Sequence, residues 1–324
     1  MTKLARFFMA AVFALGVLVC SASAQDQMGP IVIHRINERG ADRLEKPGRG
    51  IDGMATGKAL TTGSTSAATP NLTYHNGTLL TTPTVYLIWY GNWNQSNGSD
   101  NPAGQQIVRD FCNTIGGSPY FQLNSTLSAG SLNITGAVTF GGEATDTGSQ
   151  GTRLSDNRVF AVVTRALTNH LLPYNANGVY FVLTSSNISE TSGFCTQYCG
   201  WHTVGGSSFG NVHFAYVGNA NRCLNACSAQ TTSPNGNAGV DGMVSVIAHE
   251  LSEATTDPEL NAWFDSNGAE NGDKCAWTFG HAQFQVSNGS FANITLGSRN
   301  FLIQRMILRQ SSGTDFCMMN STQN

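Results

Sequence analysis

Residues 241–258 read DGMVSVIAHELSEATTDP. Met243, Val244, Val246, Ile247, Ala248 and Leu251 recur with helical rather than alternating spacing, opened by Asp241-Gly242 and closed by Pro258, which cannot continue a helix. The stretch therefore predicts a buried helix. On it His249 and Glu253 stand four residues apart. At ~100° per residue they lie ~40° apart on one face, one turn above the other, so both side chains reach one metal ion. Glu250 occupies the place that the H-E-x-x-H pattern gives to its general base. Here the second histidine is replaced by glutamate, giving H-E-x-x-E. The competing reading is a helix whose acidic face is solvated. The apolar company of Val246, Ile247 and Ala248 before the motif, and Trp263 and Phe264 after it, argues against that.

The 324 residues, 40% of them hydrophobic, are enough for a core of full size. At the N-terminus Lys3 and Arg6 precede the apolar run Phe7 to Val19 and the small-residue pattern Ala22-Ser23-Ala24. This reads as a secretory signal over residues 1–24, and no stretch reaches the ~20 apolar residues of a membrane span. The mature chain is expected to be secreted or extracellular, with periplasm or cell wall as variants of that location. Without Lys3 and Arg6 its net charge is 15 − 20 = −5, and its basic residues are scattered. Nucleic-acid binding, which needs a basic stripe, is excluded.

Of eight cysteines Cys20 falls in the signal, leaving seven, an odd number. Cys195, Cys199, Cys223 and Cys227 form a pair of C-x3-C clusters. Behind a signal peptide these are read as disulfides rather than a thiolate zinc site, joined within or between the clusters. Cys275 and Cys317 are expected to pair, with Cys112 free. Asn71, Asn124 and Asn293 are among the N-x-S/T sequons, which signify glycosylation only in a eukaryotic host.

Residues 25–82, rich in Gly, Ser, Thr and Ala, read as a disordered arm or pro-segment. Residues 83–324 read as a single domain beginning at Pro83. Strands are predicted from the β-prone run TVYLIWYGNW, over Leu132 to Phe140, over Val179 to Thr184, and over Val212 to Val217. Helices are predicted over Asn101 to Ile115 and Ser155 to Leu172, and two or three strands between Ala282 and Leu308. The expected fold class is α+β: a mixed β-sheet with packed helices, braced by disulfides.

TVYLIWYGNW, VYFVLTSSNI, FCTQYCGWH, YVGN with RCLNAC, and PNGNAGVDGM with TTDP resemble, in the same order, the phosphate-induced protein family, also called the EXORDIUM family. The resemblance runs from about Thr84 to Cys317 and implies a secreted protein associated with plant cell walls, with no reaction attached. The H-E-x-x-E helix followed by Trp263 and by Glu270 to Cys275 is similar to bacterial secreted relatives, and that likeness implies a zincin-like sheet over an active-site helix.

A metal needs a third protein ligand. Glu270 is the first candidate: the 16 residues between it and Glu253 suffice to turn and return, and the gap is similar to that of the gluzincin metalloproteases. Asp257 is the second candidate, with Asp273 as a residue that orients a ligand. His202 is expected to polarise a substrate carbonyl, as a histidine does in gluzincins, with His213 as its rival. The expected chemistry is metal-assisted hydrolysis with Glu250 as general base, on an extracellular protein or peptide. Zn²⁺ is the expected ion, with Mn²⁺ or Ca²⁺ as alternatives because carboxylate ligands suit them. The other reading is a non-catalytic module that binds a cell-wall polymer or glycan on exposed aromatics such as Trp93 or Trp201.

Overall fold

A computed structural model of the chain describes residues 72–322. The signal segment, most of the arm and the sequon at Asn71 lie outside the described residues.

The central sheet has five strands, β1 (Thr84–Tyr90), β2 (Thr139–Asp146), β3 (Gly178–Thr184), β4 (Gly200–Ser207) and β5 (Gly210–Gly218), in the order β2-β1-β3-β5-β4. β1 lies parallel to β2 and β3, and β3 parallel to β5, whereas the edge strand β4 is antiparallel to β5. Every residue of β3 is buried, which explains its unbroken apolar run, because strands covered on both faces need no polar side. The covering helices are α1 (Pro102–Thr114), α2 (Asp156–Thr168) and α3 (Ala238–Thr256).

β4 shows how the two faces are divided. Trp201 packs on Phe214, which stacks on Phe160 of α2. Its neighbours Gly200 and His202 point the other way, to Val246 and Glu250 of α3. A Cβ on Gly200 would lie 2.5 Å from Val246 Cγ1 and 3.0 Å from Glu250 Oε1. The missing side chain is what lets β4 run this close to the helix.

α3 is buried from Gly239 to Thr256. Asn237 caps it, accepting from the Val240 N–H at 3.2 Å, so the helix begins a turn before Asp241. Its buried hydroxyls are satisfied within the helix: Ser252 donates to the Ala248 carbonyl at 2.9 Å and Thr255 to that of Leu251 at 2.6 Å. Truncating a core residue such as Ile247 to alanine would cost about 2–5 kcal/mol.

The disulfides run between the clusters, Cys195–Cys223 and Cys199–Cys227, and the third joins Cys275 to Cys317. Cys112 is free and buried, and burial pushes its thiol up to about 12. The α+β, mixed-sheet, disulfide-braced expectation holds.

Several finer expectations are corrected. Residues 72–82 are not arm: Thr73–Tyr74 pairs with Trp263–Phe264, and Leu72, Leu79 and Leu80 are buried. Leu132 to Phe140 is not a strand; β2 starts at Thr139, displaced by Gly141-Gly142, which reads as a turn in sequence. The tail up to Arg309 carries five short strands rather than two or three, Phe284–Gln285, Phe291–Ala292, Ile294–Leu296, Arg299–Phe301 and Met306–Arg309. Trp93 and Trp201 are not exposed platforms, at 6% and 7% exposure. Trp93 donates its indole N–H to the Leu183 carbonyl at 3.2 Å. The sequon residues Asn124 and Asn293 are buried and hydrogen-bonded, which closes them to modification in the folded chain.

Candidate metal centre

Where β4 passes α3, His202 meets Glu250 and Glu253, and His249 meets Glu253 from its other side, with Asp257 at the helix end and Glu270 and Asp273 from the loop beyond it. None of the six other than Asp257 has a side chain more than 4% exposed, and Asp257 itself is 1% exposed. The helical spacing does what the sequence required of it, since His249 Nε2 lies 3.0 Å from Glu253 Oε1. Asp273 Oδ1 is 3.5 Å from the same nitrogen. On the other side of Glu253, His202 Nδ1 lies 3.6 Å from Glu253 Oε2 and 3.4 Å from Glu250 Oε2. Two ligand groups result, His249–Glu253–Asp273 and His202–Glu250–Glu253, each with its donor atoms within 4.8 Å of one another.

The expected third ligand, Glu270, is in neither group. Its Oε2 stands 3.6 Å from His202 Nε2 instead, and the carboxylate beside His249 is Asp273, expected from sequence only to orient a ligand. Asp257 turns Oδ1 to the N–H groups of Asn261 and Ala262, at 2.6 and 2.7 Å, which suits helix termination. His213 sits 3.6 Å from Glu259 and belongs to neither group. His202 has both nitrogens directed at protein groups, Nδ1 at Glu250 and Glu253 and Nε2 donating to the Asp257 carbonyl at 3.4 Å.

The loop that carries Asp273 is held tightly. Asn271 donates to Asn124 Oδ1 at 3.0 Å, and Asn124 donates to Ser252 Oγ on α3 at 3.3 Å. Asp273 N–H donates to Glu253 Oε1, and Glu270 N–H to Asp273 Oδ2, each at 3.0 Å. A Cβ on Gly272 would lie 2.8 Å from Glu253 Oε1 and 2.9 Å from His249 Nδ1, so only glycine lets the loop come this near.

Whether these residues suit a cation is decided by their unpartnered atoms. His202 Nδ1, both nitrogens of His249, Glu250 Oε2, Glu253 Oε2 and Glu270 Oε2 are buried with no hydrogen-bond partner. A neutral imidazole has one lone pair, so each histidine can offer one donor atom, and these atoms and the carboxylate oxygens approach to 3.0–3.6 Å without hydrogen-bond geometry. Burial of unpaired charge is costly, and a cation among these atoms offsets it. Mixed imidazole and carboxylate donors suit Zn²⁺ or Mn²⁺, while Ca²⁺ prefers a shell of oxygens. The donor set fits.

Without an ion, protons balance the charge. Burial alone would push both histidines down, but Glu270, Glu250 and Glu253 lift His202, and Glu253 and Asp273 lift His249, well above the ordinary value. Burial would raise Glu253, yet His249 and His202 hold it at about 2. Burial pushes Glu250, Asp257 and Glu270 up.

Comparison with known proteins covers the same region. Residues 72–307 match the family described as "Phosphate-induced protein 1 conserved region". The chain is 35% identical over 223 residues to Protein EXORDIUM-like 3 of Arabidopsis thaliana, covering 60% of this chain and 64% of that protein. It is 30% identical over 244 residues to Protein EXORDIUM-like 5 of the same plant, covering 65% of each. To Protein PHOSPHATE-INDUCED 1 of Nicotiana tabacum it is 27% identical over 232 residues, covering 60% of this chain and 67% of that protein. The chain thus spans just under two thirds of the length of the two Arabidopsis relatives.

Proposed function

This chain belongs to the phosphate-induced protein family, and on that premise we propose that it is a secreted, cation-dependent hydrolase, a peptidase by type, built on the H-E-x-x-E helix. His249, Glu253 and Asp273 would hold a divalent ion, zinc first and manganese second. The observation that carries the reading is His249 Nε2, buried and without a hydrogen-bond partner, with Glu253 Oε1 at 3.0 Å and Asp273 Oδ1 at 3.5 Å. Three disulfides suit an oxidising compartment, and among the described residues no helix is long and apolar enough to cross a membrane.

When bound, the ion supplies Lewis-acid chemistry to a carbonyl and to water. Glu250, next in sequence to His249, takes the proton of the attacking water at Oε2 and returns it to the departing amine, so that one water is consumed per bond cleaved. Asn124 and Asn271 hold the loop that delivers Asp273. His202 carries no substrate contact in this scheme.

The test is elemental mass spectrometry of the purified mature protein, supplied with zinc and dialysed against metal-free buffer. At least one ion per chain, lost in His249→Ala, is expected; a metal-free wild type overturns the reading. Hydrolysis of extracellular peptides should then fall about 10²- to 10⁴-fold in Glu250→Gln with the His249-side ion retained. A second reading, a structural ion in a non-catalytic module that binds a cell-wall polymer, is favoured by the deep burial of every ligand. It predicts bound ion with no activity in either protein.

A further inference from the structure

Glu253 offers its two carboxylate oxygens to different imidazoles, Oε1 to His249 and Oε2 to His202. We propose that the centre takes a second first-row divalent cation, held by His202 Nδ1, Glu250 Oε2 and Glu253 Oε2 and bridged to the first through Glu253, and that this second ion silences the centre by occupying Glu250. The proposal rests on the reading of the first position given above.

The second position is built rather than merely acidic. All three of its donor atoms are buried and unpartnered, on side chains at most 1% exposed. His202 Nε2 is the nitrogen that keeps its proton. A carbonyl only accepts, so the hydrogen bond to Asp257 O puts a proton on Nε2. A histidine whose far nitrogen donates to a backbone carbonyl is oriented as metal-ligating histidines are, with the near nitrogen presented to the ion. That near nitrogen, Nδ1, faces two carboxylate oxygens at 3.4 and 3.6 Å without hydrogen-bond geometry to either.

Charge leaves room for it. Five carboxylates, Glu250, Glu253, Asp257, Glu270 and Asp273, surround two imidazoles, so beside one dication the remaining acidic groups are neutralised either by protons or by a second cation. The Glu270 carboxylate and the backbone carbonyl of Asp257 then stand at His202 Nε2, where they stabilise its N–H. The functional consequence follows from Glu250 alone. A carboxylate that ligates an ion through Oε2 cannot take a proton on that atom, so the second ion acts as a brake on the base.

The experiment is equilibrium dialysis of the metal-free mature chain against rising Zn²⁺, read by elemental analysis, for wild type, His202→Ala and His249→Ala. The wild type should bind two ions per chain. His202→Ala should keep the tighter ion and weaken the other at least about tenfold. One ion per chain, lost in His249→Ala and unaffected in His202→Ala, overturns this proposal and leaves the first position standing. No ion in any protein overturns both. Should His202→Ala not fold, manganese-loaded wild type decides: paramagnetic resonance should show an exchange-coupled pair, and isolated-ion spectra at saturation overturn the bridge. In active protein the rate should decline over the concentration range in which the second ion binds, and a constant rate across that range overturns the brake.

Discussion

Glu253 Oε1 lies 3.0 Å from His249 Nε2, yet the pair makes no hydrogen bond, because neither atom is aimed at the other. The proposed ligand set rests on that relation. A buried ion pair gains enough to offset its desolvation only when its geometry is good and its remaining lone pairs are satisfied, and here they are not.

The identity of the third ligand is the first consequence. Asp273→Asn removes a charged oxygen beside His249, whereas Glu270→Gln alters a group beside His202. We expect Asp273→Asn to weaken the tighter cation at least about tenfold and Glu270→Gln to leave it within a few-fold. Calorimetric titration of both variants measures this. The reverse order would return the ligand role to Glu270.

Gly272 gives a test that changes no ligand. A methyl group there would meet Glu253 Oε1 at 2.8 Å and His249 Nδ1 at 2.9 Å, so the loop or both ligands must shift. Gly272→Ala should lower the thermal midpoint by an amount corresponding to about 1–3 kcal/mol and abolish the rise in midpoint that added zinc gives the wild type. A variant that melts lower yet keeps the full zinc-dependent rise would show that the loop relaxes without disturbing the centre.

The Cys275–Cys317 bridge closes a separation of 42 residues and anchors the segment that follows Asp273. Loop-closure entropy gives such a bridge about 4 kcal/mol of stabilisation. Replacing both cysteines by alanine should lower stability by that order in denaturant titrations. It should also weaken cation binding, because the Asp273 loop loses its downstream anchor. Unchanged cation affinity in a destabilised variant would separate the brace from the site.

The helix and its H-E-x-x-E pattern are legible because they depend on local spacing, i, i+4 for His249 and Glu253, whereas C-x3-C spacing marks the two cysteine clusters and leaves open whether bridges run within or between them. The central strand Gly178–Thr184 was legible because burial on both faces removes polar residues. Strand β4 was missed, and with it the true setting of His202, because Gly200, Gly205 and Gly206 lower its strand propensity; Gly200 and Gly205 are small because α3 and Phe160 press against them. That Asp273 rather than Glu270 stands beside His249 depends on how a loop folds back through Asn271 and Asn124, 147 positions apart, which no local pattern encodes.

The same loop should set part of the acid stability. Burial alone would raise Asp265, but the Lys274 ammonium at 2.5 Å and the N–H groups of Asn267 and Ala269 hold its carboxyl below the usual range. A folded-state value below the unfolded one, about 3.9, means that the contribution is complete above that pH and is lost as pH falls through the folded value. Asp265→Asn should therefore lower the thermal midpoint at pH 7, and the gap to wild type should close as the pH falls through the lowered folded-state value. Melting both proteins from neutral to acid pH, with chelator present so that cation release does not contribute, makes the comparison. A gap that stays constant into acid would mean that Asp265 acts through its backbone hydrogen bonds, which asparagine retains only in part, and not through its charge on Lys274.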